Sequence, residues 1–297
     1  MATERKSSAQ LTIIDANVSW RDWPKNLRES IRYRSLLYNL TKTHVKVRYR
    51  NSILGVLWSL LNPLLMMVVF TIIFGKIMPR ADIRQYAVFF LVGLLPWQFF
   101  SGGLMSSTVS ATSNSPMLKK IYFPRELLPT SAMLTNLVNF GLAFIVLVVF
   151  IYASGLTLTI HALWVPVILL TQMLLILGLG MFLSALNVFY RDVLMILDVL
   201  LLAMFFLTPI FYPLEWMGQE QTVLGITFEP AVVMRWLNPM ASIIDGYRTV
   251  LWGTTSSNGP VGMDPIYFAR TFVTCLILFV IGYLFFGRLQ HLFAEKL

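Results

Sequence analysis

Six apolar blocks decide what this chain can fold into. They occupy residues 53–74, 86–105, 127–153, 163–189, 193–212 and 267–286. A helix rises about 1.5 Å per residue, so about 20 apolar residues cross the roughly 30 Å hydrocarbon core of a bilayer. Barrel strands would show as segments of about 10 residues with alternating hydrophobicity, and that pattern is missing. In lipid the backbone must satisfy itself, which leaves helices. Only 12% of residues are charged, against roughly 25% in soluble domains. The expected fold is therefore all-α, a polytopic membrane protein with six transmembrane helices.

Orientation follows from the basic residues. The first 50 residues hold eleven Lys and Arg and no apolar core, which argues against a cleavable signal peptide. With both termini on one side, that side collects 17 basic residues, including Lys119, Lys120, Arg125, Arg191, Arg288 and Lys296. The other side collects 6: Lys76, Arg80, Arg84, Arg235, Arg248 and Arg270. The positive-inside rule places both termini in the cytoplasm. This bias, with attraction to anionic membrane lipid, accounts for the net charge of +9 and requires no nucleic-acid partner.

Residues 1–30 are polar, without clear periodicity, and read as a cytoplasmic arm. Over 31–52 an amphipathic helix is expected. Arg34, Tyr38, Lys42, Lys46 and Arg50 recur every fourth residue, while Leu36, Leu37, Leu40 and Val47 gather on another side. Such a helix lies on the inner membrane face, although a simple stop-transfer charge cluster also fits these residues. The transmembrane domain is read over 53–289 and a cytoplasmic tail over 290–297. Asn62-Pro63 should kink the first span.

The loop at about 115–126 contains Pro116, Lys119, Lys120, Tyr122, Phe123, Pro124 and Arg125. It reads as a short surface helix for docking or as an ordinary connector with interfacial aromatic rings. Asn187, Tyr190, Arg191 and Asp192 form a tight turn that brings the fourth and fifth spans together. Asp198 falls inside the fifth span, where a carboxylate pairs, functions, or reaches the headgroups; Arg191 is a possible intramembrane partner. Over 213–253 two apolar segments, 223–237 and 240–252, are too short to span and read as re-entrant or interfacial helices. Gly103 with Ser107 and Gly180 with Ser184 have the small-xxx-small spacing of close helix contacts.

Much chemistry is missing. There is no Gly-x-x-x-x-Gly-Lys-Ser/Thr loop, so any ATP is handled by another chain. His44, His161 and His291 are too scattered for a metal triad, and Cys275 is the one cysteine. An ion-coupled carrier would have to rest on Asp198 alone. A membrane enzyme would show clustered acids or a nucleophile with its base. Aromatic residues are abundant at 14%. Most belong to interfacial belts or packing. Some, among Trp97, Phe100, Phe205, Phe211, Tyr212 and Trp216, are candidates to line a passage, where ring faces hold sugar rings loosely.

Six ordered motifs carry a resemblance: YRNSILGVLWSLLNP at 49–63, GLLPWQFF at 93–100, SPMLKKIYFP at 115–124, LNVFYRDV at 186–193, TPIFYP at 208–213, and Asn238-Pro239 with Arg248. Together they resemble the permease subunits of ABC exporters of O-antigen, capsular polysaccharide and teichoic acid. The resemblance runs from about residue 30 to the C-terminus.

It implies a homodimer with one channel in a bacterial cytoplasmic membrane, bound to two copies of an ATPase that holds ATP and Mg. It assigns 34–50 to an interface helix, 116–124 to a coupling helix and the segments after Tyr212 to periplasmic gate helices. The expected cargo is a lipid-linked glycan. The rivals are an exporter of a drug or small lipid and a membrane enzyme that assembles the glycan. On this reading, Phe123→Asp or Tyr122→Asp uncouples export from ATP hydrolysis and leaves the dimer assembled.

Overall fold

The computed structural model describes residues 32–50, 55, 57–74, 83–120, 123–217, 221–223 and 226–296. The 1–30 arm and Tyr122 lie outside the described residues.

The chain is a helical membrane protein. Four segments are long and apolar enough to cross a bilayer: Tyr86–Ser113, Leu127–Ala153, Ile160–Phe189 and Pro265–Leu292. They contain α3 (Tyr86–Ser113), α5 (Leu127–Ala153), α6 (Val165–Phe189) and α10 (Pro265–Leu289). Two apolar helices are shorter, α2 (Leu57–Ile72) with 16 residues and α7 (Val193–Leu207) with 15. At about 1.5 Å per residue these reach roughly 24 and 22 Å, less than the hydrocarbon thickness. Helix α7 stops because Pro209 pushes Thr208 out of helical geometry, to φ −80° and ψ 138°. Helix α2 runs through Pro63, which is buried inside it.

Around this bundle lie α1 (Arg34–Tyr49), α4 (Ser115–Lys120), α8 (Pro230–Leu237), α9 (Pro239–Leu251) and α11 (Phe293–Lys296). Residues Gln221–Val223 and Ile226–Phe228 form a short antiparallel hairpin, β1 and β2. The helix expected over 223–237 is thus confined to α8. Pro230 supplies a preorganised first turn there, while the β-branched residues before it pair as strands.

Helix α3 is the centre of the packing, in contact with α2, α5, α6, α7 and α9. Its buried residues are distributed all round it, as an interior helix requires. Pro96 lies within α3, and its carbonyl accepts from the buried Gln172 Nε2 of α6 at 2.7 Å. The two small-residue motifs meet at one point, Gly180 against Ser107. A Cβ on Gly180 would lie 2.7 Å from Ser107 Cβ, and one on Gly103 would lie 3.1 Å from Ile176.

The tightest crossing joins α6 to α10. A Cβ on Gly282 would run into the Gly178 carbonyl, and one on Gly178 would lie 2.6 Å from the Phe279 backbone. Only glycine on both helices allows that approach. Helix α7 leaves the bundle more exposed than expected. Leu197 is its buried residue, and it leans on α3 as well as on α6.

Candidate functional site

The bundle has two ends and a polar cleft between them. One end gathers α1, α4, α11 and the last turns of α6 and α10. Here Arg34, Tyr38, Lys42, Lys46 and Arg50 are exposed along α1, while Tyr33, Leu36, Leu37 and Leu40 pack against the bundle. Val47, expected with them, is 62% exposed. Towards its C-terminal end the helix meets α5 through polar side chains, the exposed Arg48 and the partly buried Tyr49. Arg48 donates to Asn136 Oδ1 at 3.1 Å and Tyr49 to Asn139 Oδ1 at 2.5 Å, both on α5. His44 is pushed below its ordinary value by burial, and further by the Arg48 charge.

In the 115–126 segment the side chains divide. Pro116, Lys119 and Lys120 are exposed, and Pro124 and Arg125 are half-buried. Phe123 is 4% exposed, in one apolar cluster with Leu118, Leu127, Leu128, Phe286 and Phe293. The Arg125 guanidinium sits 6.0 Å from the Phe293 ring centre. Phe293 and the buried Glu126 are functional candidates that the sequence reading missed. An isolated Phe near a chain end gives no periodic signal to find it by.

Between α2, α3 and α5 is a cavity of about 270 Å³. Asn62, Gln98, Asn136 and Asn139 line it together with Ser101 and the Trp58 ring. Four carboxamides on otherwise apolar helices are costly in lipid, and such groups mark an aqueous or ligand-bearing surface.

Nearby, aromatic rings from four segments form a continuous stack. Phe70 lies 4.6 Å from Phe90, Phe74 lies 5.6 Å from Phe211, Phe205 lies 6.1 Å from Phe211, and Trp97 lies 6.0 Å from Phe205. Tyr212 joins through Phe211 at 5.0 Å. Of the passage candidates, Phe205, Phe211 and Tyr212 are partly open. Trp97 and Phe100 are buried within the chain, because central α3 turns every face inward. Trp216 is 53% exposed. Phe70, Phe74 and Phe90 were missed, although the four-residue spacing of Phe70 and Phe74 was visible.

The opposite end is built on α9. The Asn238 side chain caps it, accepting from the Met240 and Ala241 amides at 3.0 and 3.3 Å, and donates to Thr208 at 2.8 Å. Arg248, 4% exposed, donates to the carbonyls of Pro209, Ile210 and Tyr212, with its guanidinium carbon 3.8 Å from the Phe89 ring centre. Burial draws Arg248 down to about 10, opposed by Asp245 and Glu215, so it is cationic at neutral pH. Arg84 and Trp252 exchange side chain to backbone hydrogen bonds at 2.9 and 3.0 Å, tying the start of α3 to the end of α9. Arg235 pairs with Asp245 at 3.0 Å.

Arg191 and Asp198 do not pair with each other among the described residues. Both are exposed, and seven positions of helical rise, about 10 Å, separate them.

Residues 35–252 match the family model described as ABC-2 type transporter. The chain belongs to this family. The matched span of this ABC-2 transporter begins at α1 and ends with α9, so it contains the basic helix, the 115–126 segment, the cleft and the Arg248 anchor. Phe293 lies beyond it. A protein from Klebsiella pneumoniae named O-antigen export system permease protein RfbA is 33% identical over 263 residues, 88% of this chain and 95% of that one. A protein of the same name from Myxococcus xanthus is 37% identical over 226 residues, 76% of this chain and 84% of that one.

Proposed function

We propose that the chain is the channel-forming subunit of an ATP-driven exporter that carries a lipid-linked polysaccharide, of the O-antigen kind, across a bacterial cytoplasmic membrane. The observation that carries this is the likeness to two O-antigen export permeases over 84% to 95% of their length. The cleft and aromatic stack supply polar and ring surfaces suited to a glycan. The sequence has no nucleotide loop, so ATP and Mg belong to a partner ATPase, two copies of which serve a homodimer of this chain. In this reading α2 and α7 complete six spans. The α1 end faces the cytoplasm, α1 is the interface helix and the 115–126 segment couples to the ATPase. Helices α8 and α9 gate the far side.

Removing this chain from cells that make the glycan is expected to trap lipid-linked polymer on the cytoplasmic side. Restoring the chain together with an intact ATPase returns glycan to the surface, and restoring it with an ATPase lacking its P-loop lysine does not. Normal surface glycan without the chain, or export that follows a proton gradient instead of ATP, overturns the reading.

Orientation is tested separately. Cys275 is buried, so a new surface cysteine reports with little background. In cells, Ser256→Cys is expected to react with a membrane-impermeant maleimide and Lys119→Cys is not. Inverted vesicles should give the opposite result. The same pattern in both preparations contradicts the assigned sides.

A further inference from the structure

We infer that the cavity between α2, α3 and α5 is a subsite for one neutral sugar ring of the transported glycan; this rests on the export reading above. Its volume of about 270 Å³ is close to the lower end of small-molecule sites, roughly 300 Å³, which suits a single ring and excludes a folded chain. None of its lining side chains is charged, and Arg48, which reaches the lining Asn136, is engaged on its Oδ1 at 3.1 Å. A phosphate would call for Arg or Lys here, and an acyl chain would call for apolar walls. The walls are mixed: beside the apolar Leu95, Phe99, Phe140 and Ala143 stand four carboxamides, which both donate and accept as a sugar hydroxyl does and which an acyl chain would leave without partners.

Much of that capacity is unspent. Among the described residues the exposed Asn62 side chain makes no hydrogen bond, and Gln98 Nε2 meets only the Met66 thioether at 3.8 Å. Asn139 accepts from Tyr49 and keeps its NH₂ group for a ligand. Trp58, half exposed at the rim, offers an apolar ring face to the C–H side of a sugar. Gly102 keeps the floor open, since a Cβ there would stand 3.2 Å from Asn136 Oδ1. Through Asn136 and Asn139 the same cleft is hydrogen-bonded to α1, so occupancy is felt by a helix at the basic end.

The test places a photo-crosslinking residue, p-benzoylphenylalanine, at Trp58, at Phe205 in the aromatic stack, and at Val149 on the exposed apolar face of α5, in cells carrying the whole exporter and its own glycan. Trp58 and Phe205 are exchanged ring for ring and Val149 is 61% exposed, so each variant is expected to fold. Irradiation should attach carbohydrate-staining polymer at Trp58 and not at Val149. Adding Asn62→Leu, which sacrifices no bond among the described residues, should lower the Trp58 yield about fivefold, the value of one hydrogen bond. Polymer captured at Phe205 but not at Trp58 overturns the subsite and leaves the export reading intact. Capture at neither position overturns both. An adduct at Trp58 that carries lipid without sugar, or equal capture at Val149, also overturns the subsite.

Discussion

Replacing Arg248 with methionine is expected to leave little folded protein in the membrane. Methionine fills much of the same space, so the loss isolates the guanidinium. Three carbonyls, those of Pro209, Ile210 and Tyr212, lose their donor in a buried setting. Each orphaned group costs about 1–3 kcal/mol, so the three together cost about 3–9 kcal/mol, a large share of a net stability of about 5–15 kcal/mol.

The contact with Phe89 disappears as well, a further 0.5–2 kcal/mol by order of magnitude. Arg248→Lys keeps the charge, but a single ammonium lacks the planar fork that reaches three carbonyls at once, so it should rescue only part of the loss. Thermal melts of the detergent-purified variants, followed by size-exclusion chromatography, provide the measurement. A methionine variant that melts with the native protein would show that the segment after α7 is held by other contacts. Gly93→Ala should resemble a mild form of the same defect, because its Cβ would come within 2.7 Å of Arg248 Nη2.

Arg248 also shows where sequence reading stops. Its place in a motif was visible, but its partners lie 36 to 39 residues upstream, and only the fold brings them to it. Hydropathy placed the four long helices because length and composition suffice for them. It overextended α7 past Thr208, where backbone sterics at Pro209 outweigh apolar content. Spacing marked Gly103 with Ser107 and Gly180 with Ser184 as close-contact positions but not which of them meet, and it gave no sign of Gly178 and Gly282. A single glycine on each of two distant helices forms no pattern until they cross. The cleft was missed for the same reason, since Asn62, Gln98, Asn136 and Asn139 come from three helices.

The 115–126 segment is where this matters most for mechanism. Phe123→Asp no longer tests coupling, since Phe123 is buried against Leu127, Phe286 and their neighbours. A carboxylate there lacks water and a partner, costs several kcal/mol, and should reduce the amount of folded chain. Phe293→Ala removes a ring that is 0% exposed, for about 3–5 kcal/mol, and should weaken the same cluster from the C-terminal side.

Lys119→Glu with Lys120→Glu is the informative variant. Both side chains are exposed, so folding should change by less than about 0.5 kcal/mol per site. If these lysines meet the ATPase, charge reversal leaves the chain at its normal level in the membrane, lowers copurification of the ATPase and brings export close to background. A rim charge acts chiefly through association, so part of the defect should return at high ATPase expression. The double variant exporting at the native rate would remove the two lysines from the coupling surface, whatever Phe123→Asp does.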